Sequence, residues 1–253
     1  MECFRSTIVW NRAMTKILAV DTATEACSAA LFIDGRIISE KEVAPQGHTR
    51  LLLPMTDRLL KEAGLGLRDL DALATGRGPG SFTGVRIGVS MAQGLAFGAG
   101  KPLIGISDLM VMAFQALEET GLNEAVAAID ARMGEVYLGV FRKDPEGFPE
   151  LLGEERVLAP EIAASYAKEL LSGNQPALTG TGFAAYPRIG EALNGVSAAE
   201  NLPWADTLAR LALRDYERGL ARAPGEILPV YIRDQVTWKK VAEQELERQQ
   251  RRG

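Results

Sequence analysis

Between Gly76 and Gly88 the chain reads Gly-Arg-Gly-Pro-Gly-Ser-Phe-Thr-Gly-Val-Arg-Ile-Gly. An apolar run, Leu70 to Thr75, leads into this stretch, and an unbroken helical pattern from Thr83 to Ala99 leaves it. A strand, a loop with glycine at alternate positions and then a helix bring backbone amides close to a neighbour. Glycine permits positive φ and carries no Cβ to hold that neighbour off, and the amides of a helix N-terminus suit an anion. Two readings follow. One is a tight strand-to-helix turn, with Pro79 setting φ and Ser81 or Thr83 as N-cap. The other is a phosphate cradle, although Val85-Arg86 stands where a Walker loop needs Lys-Ser/Thr, and the G-x-G-P-G order fits no dinucleotide fingerprint.

At 253 residues the chain can bury a large core in one or two domains. Its net charge of −5 argues against a broad basic surface for binding RNA unaided. Cys3 and Cys27 have neither metal-ligand spacing nor a disulfide framework. The longest apolar candidate for a membrane span, Val85 to Ala99, is broken by Arg86, Ser90 and Gln93. Residues 1–14 read as an unstructured leader without a secretory core. A cytoplasmic protein with no membrane association is expected.

Lys16–Asp21 and Ser28–Ile33 read as strands, and Asp34-Gly35 turns the chain into a third, Arg36–Val43. A helix from Thr49 to Ala63 places Leu52, Met55, Leu59 and Ala63 on one stripe, widened by Leu51, Leu53 and Leu60. In the next helix Gly84, Gly88, Ala92 and Ala96 recur at every fourth position, flanked by Val85, Val89, Met91, Leu95 and Phe97. That smooth face suits close packing within the domain or a helical pair with a second subunit. After the strand Leu103–Ile106, Ser107-Asp108 caps a helix running to about Glu119. Strands over Ala125–Asp130 and Glu135–Phe141 then repeat the opening order of strand, Asp, turn and strand. Lys143–Glu155 reads as a turn-rich connection, Pro160–Leu171 and Trp204–Arg218 as helices, Ala177–Thr179 as a brief strand, and 234–253 as a polar tail.

The single histidine limits the chemistry. A Ser-His-Asp hydrolase would need His48 to reach Ser81, and Gly80–Gly84 is not a G-x-S-x-G elbow. His48 reads as a surface loop residue, and the Glu118-Glu119 and Glu154-Glu155 pairs as exposed charges. Two enzymatic alternatives stand beside a binding role. One is a small ATP-dependent kinase or ATPase using Asp21, Asp130 and the glycine loop; the other is a glycoprotease-like peptidase.

The string GPGSFTGVRIG, with Ile17-Leu18-Ala19-Val20-Asp21-Thr22-Ala23-Thr24 upstream, closely resembles the TsaB family. The resemblance runs from about Met14 to Arg233 and takes in Asp130-Ala131-Arg132, Glu135-Val136-Tyr137 and the closing Pro229-Val230-Tyr231-Ile232-Arg233. It implies an α/β protein of two related actin-like (ribonuclease H-like) halves, each a mixed sheet with flanking helices. The halves would span 15–108 and 109–233, with the last helix packing back on the first half. Asp21, Thr22, Gly78, Gly80, Ser81 and Asp130 would be vestigial phosphate-loop positions. ATP binding would be weak or absent, with no cofactor required by this chain. The bulky Arg132 after Asp130 departs from the superfamily's second phosphate loop. The family's catalytic paralogue, TsaD, binds metal through a His-x-x-x-His pair, which a chain with only His48 cannot build. The resemblance therefore implies a non-catalytic subunit, forming a homodimer when alone, and otherwise paired with TsaD and joined by the ATPase TsaE. The complex transfers threonylcarbamoyl from its adenylate to the adenosine 3′ of the anticodon in tRNAs reading A-starting codons, and tRNA would meet this chain only there. The expected interface comprises Leu52, Met55, Leu59, Gly84, Val85, Gly88, Met91, Ala92 and Leu95.

Overall fold

The computed structural model describes residues 15–233; the expected leader at 1–14 and tail at 234–253 lie outside them. Strands β1 (Lys16–Asp21), β2 (Ala26–Ile33) and β3 (Arg36–Val43) form an antiparallel meander, with Asp34 and Gly35 at positive φ in the turn. Helix α1 (His48–Glu62) leads to β4 (Ala72–Gly76), helix α2 (Phe82–Ala99) to β5 (Leu103–Ile106), and both strands run parallel to β1. The sheet order is β3-β2-β1-β4-β5.

Helix α3 (Asp108–Thr120) crosses to a second sheet with the same plan. There β6 (Glu124–Arg132), β7 (Glu135–Lys143) and β8 (Pro149–Leu158) form the meander, followed by α4 (Pro160–Leu170) and β9 (Ala177–Thr179). Short helices α5 (Thr181–Ala185) and α6 (Pro187–Leu193) precede β10 (Val196–Ser197), giving the order β10-β9-β6-β7-β8. Viewed from either meander, the strand sequence is identical, so the fold is two related α/β halves. The stretch read as turn-rich, Lys143–Glu155, is instead mostly strand. Cross-strand pairing such as Phe141 with Leu151 holds β8 in place, and Phe148 in the turn packs at 5.1 Å on the Phe114 ring.

The period of two along β1 sorts its side chains between two layers. Ile17 and Ala19 face a cluster containing Val111 and Phe114 of α3, together with Leu208, Leu211 and Ala212 of α7 (Ala205–Glu217). Leu18 and Val20 face Leu52, Met55 and Leu59 of α1 and Ala92 and Ala96 of α2. Helix α3 serves both sheets, since Leu109, Met112, Ala116 and Leu117 pack on β6 and β7. Among the described residues no helix is long and apolar enough to cross a membrane.

Most residues of the expected interface lie in this inner layer. Leu52, Met55, Leu59, Val85 and Ala92 are at most 4% exposed, and Gly84 and Gly88 are buried with them. A Cβ on Gly88 would stand 2.8 Å from Thr22 Oγ1, so the smooth face of α2 lies against this chain's own first strand and turn. Met91 and Leu95 remain half-buried. A small-residue stripe lets the sheet approach closely, which a sequence pattern cannot tell apart from a helical pair.

Candidate functional site: a cleft closed over the first strand

The glycine loop is stitched onto the turn that follows β1. A Cβ on Gly80 or Gly84 would collide with the backbone carbonyl of Ala23 or Thr22. The Ser81 N–H donates to Ala23 O (2.6 Å), the Thr22 hydroxyl to Gly84 O (2.8 Å), and the Gly84 N–H to Ser81 Oγ (3.3 Å). The Gly78 N–H donates to Asp108 Oδ2 (2.5 Å). Three amides that a phosphate cradle would use are thus engaged within the protein, and Asp21 and Thr22 are at most 1% exposed. Of the residues expected at a vestigial phosphate site, Asp21, Thr22 and Gly78 lie sealed beneath the loop. Gly80, Ser81 and Asp130 reach the cleft above it. The turn reading, with Ser81 as N-cap of α2, describes the loop.

Below the loop, Asp21 meets Asp108 from the first turn of α3. Asp21 Oδ1 accepts from the Ala23 N–H at 2.9 Å. Asp21 Oδ2 and Asp108 Oδ1 converge on the space a Gly76 side chain would fill, and neither has another partner. Burial first, then the neighbouring Asp21 charge, pushes the Asp108 carboxyl well above the usual carboxylate range. Burial also raises Asp21, opposed by its hydrogen bonds to Asp108 and Ala23 and by the field of His48. An Asp108 carboxyl raised in this way can donate its proton to the facing Asp21 oxygen. Beside them Ser107 donates to Glu155 of β8, whose carboxyl is raised by burial. Sequence reading assigned Asp108 a capping role and Glu155 an exposed one; neither adjacency leaves a local signal.

Above the loop, a cavity of about 820 Å³ separates the halves. One wall carries Glu25, His48, Phe82 and Arg86, and the other Asp130, Arg132 and Tyr137 of the β6–β7 hairpin. Tyr231 and Arg233 close it. Arg132 and Met133 sit at the hairpin tip with φ of 63° and 57°, a conformation bulky residues rarely adopt. Arg233 anchors this tip, donating to Ala131 O at 3.3 Å and pairing with Glu135. Both Asp130 oxygens are taken by Arg132, through its N–H at 2.9 Å and its guanidinium at 2.8 Å. Arg86 lies against two tilted rings, 3.2 Å from the Phe82 centroid and 4.7 Å from that of Tyr231. The two fingerprint strings contain Phe82, Arg86 and Tyr231, but only folding brings them together.

His48 is not the surface loop residue expected. It is the first residue of α1, is 6% exposed, and its Nε2 has no partner among the described residues. Ser81 lines the same cavity. Among the described residues no group of three or more His, Cys, Asp or Glu side chains could hold a metal ion.

The family model of TsaD, tRNA N6-adenosine threonylcarbamoyltransferase, matches residues 35–194. TsaB of Escherichia coli, a tRNA threonylcarbamoyladenosine biosynthesis protein, is 44% identical over 229 residues, covering 89% of this chain and 98% of that protein. TsaB of Haemophilus influenzae is also 44% identical over 229 residues, covering 89% of this chain and 96% of its own. Among solved structures, YeaZ from Pseudomonas aeruginosa superposes with a TM-score of 0.78 at 42% identity, over 86% of this chain and all of that one. A second Pseudomonas aeruginosa structure, described by its similarity to the peptidase YeaZ, gives the same TM-score at 41% identity, over 87% of this chain and all of that one.

Proposed function

The chain belongs to the TsaB family, and from that premise we propose that it is a non-catalytic subunit of the machinery that makes threonylcarbamoyladenosine in tRNA. In this reading it pairs with a TsaD-type subunit and supports transfer of threonylcarbamoyl from its adenylate to the adenosine 3′ of the anticodon. TsaE joins as a third component, a homodimer forms when the chain is alone, and the setting is cytoplasmic. The chain needs no cofactor of its own. The observation that carries the reading is identity at 44% across 98% of E. coli TsaB. The single His48, which rules out a histidine pair for metal, supports a non-catalytic role.

The outward faces of α1 and α2 supply the pairing surface. Phe97 is 84% exposed and Leu53 51%, and a Cβ on Gly94 or Gly98 would meet nothing within 4 Å. Ile87, Met91, Gly94 and Gly98 follow one another at steps of three and four, and no charged residue lies between Ile87 and Ala99. A second helix can therefore approach closely with little charge to desolvate.

The test mixes this chain with its host's TsaD-type protein and follows the mass by size-exclusion with light scattering. Modification of unmodified tRNA is assayed in parallel, with threonylcarbamoyl-adenylate supplied. A heteromer, and modification that depends on this chain, are expected. Modification at full rate without the chain would overturn the assignment.

A further inference from the structure

Three guanidinium groups line the cleft, and their partners differ. Arg132 is paired with Asp130 at 2.8 Å, and Arg233 with Glu135. Arg86 forms no ion pair among the described residues; its Nη1 donates only to Phe82 O at 2.7 Å. It is half-buried, lying on the Phe82 ring with Tyr231 to one side. Glu25 lies in the same lining without forming an ion pair to it. A half-buried guanidinium lying on a ring face has lost part of its hydration and, here, gained no counter-charge. That is the state in which an incoming anion is held most strongly.

A second, independent feature points to the same cavity. His48 lines it, is more than nine-tenths buried, and has an unpartnered Nε2. An orphaned buried nitrogen costs free energy unless a ligand or a moving side chain satisfies it. The first turn of the 18-residue helix α2 opens on the cavity through Ser81 and Phe82, adding a partial positive charge. The volume of about 820 Å³ suits one small molecule.

We infer that this cleft binds a small organic anion, its carboxylate or phosphate held by Arg86 at the start of α2 and its body reaching His48. The position is not the turn after β1, where Gly78, Ser81 and Gly84 have already spent their amides. Arg86 acts as the recognition group and fixes the anionic end, Phe82 holds its plane with Tyr231 beside it, and His48 is part of the wall that the body meets.

Isothermal titration of the full chain with pyrophosphate, citrate and a nucleoside 5′-monophosphate tests this, with circular dichroism as the folding control. Saturable one-to-one binding of at least one probe is expected. It should be weakened at least tenfold by Arg86→Gln and left unchanged by Arg68→Gln, an exposed arginine before β4. Response to citrate alone identifies a carboxylate ligand, and response to the phosphates alone a phosphate ligand. Should the glutamine variant misfold, Arg86→Lys keeps the charge but loses the planar stack, and must weaken binding at least threefold. Absence of saturable binding by all three probes at millimolar concentration, or binding indifferent to the Arg86 substitutions, overturns the inference.

Discussion

Asp21 and Asp108 face each other across Gly76 in a fully buried floor, each presenting to the other a carboxyl oxygen that has no further partner. One residue ends the first strand and the other opens the helix that crosses to the second sheet. Their contact is therefore part of how the two halves join.

The raised Asp108 carboxyl sets a pH dependence. Unfolded, Asp108 titrates near its ordinary value of 3.8; folded, burial raises it well above that. Above about pH 4 the native state then binds more protons than the unfolded one, so stability falls as pH rises from there through the folded pKa. The slope approaches about 1.4 kcal/mol per pH unit for one proton. Asp108→Asn keeps an acceptor for the Gly78 N–H and offers its amide to Asp21. Urea unfolding from pH 4 to 8 should show a flatter profile for the variant, and a higher midpoint than wild type at pH 8. A slope identical to wild type would count against that raised carboxyl.

Gly76→Ala tests the same contact sterically. Its Cβ would enter the space both inner carboxyl oxygens occupy. A loss of about 3 kcal/mol is expected in urea unfolding at pH 7, since both carboxyls are buried and held by the N–H groups of Ala23 and Gly78.

Two faces of α2 should respond oppositely to the same residue. Gly88→Leu drives atoms against Thr22 and should cost the monomer about 3 kcal/mol. Gly94→Leu meets open solvent and should leave stability unchanged, or raise it by up to about 1 kcal/mol through helix propensity. Yet light scattering should show the Gly94 variant unable to pair with a TsaD-type subunit. Pairing that survives Gly94→Leu would remove α2 from the proposed interface.

Arg233→Ala should loosen the β6–β7 hairpin, since the guanidinium bonds Ala131 O and pairs with Glu135. Hydrogen exchange over 131–135 should rise while β9 is unaffected. The stability loss should be about 1–3 kcal/mol.

The Cys27 thiol is buried, and its pKa is pushed up to about 11, mainly by that burial. Thiolate is scarce at pH 8. Iodoacetamide should leave the Cys27 peptide unmodified in the native protein and label it in urea, as read by mass spectrometry. Rapid native labelling would show the inner layer of the first sheet to be open.

Much of the fold was present in local pattern. Apolar runs marked β1, β4 and β6, Asp34-Gly35 marked the first hairpin, and the recurrence of strand, Asp, turn and strand announced two related halves. These signals are local because backbone conformation and side-chain period are local. The strings around Gly80 and Tyr231 carried the family.

The tertiary structure decided which surface each pattern serves. The stripe of Gly84, Gly88 and Ala92 is smooth whether a sheet or a partner lies on it, and only the placement of β1 and its turn turned it inward. Asp21 and Asp108, or Arg86 and Tyr231, are far apart in the chain, and each residue alone reads as a cap or a surface charge. Their burial and their partners exist only once the sheets, α3 and the closing segment are assembled, because desolvation and charge pairing belong to the packed whole.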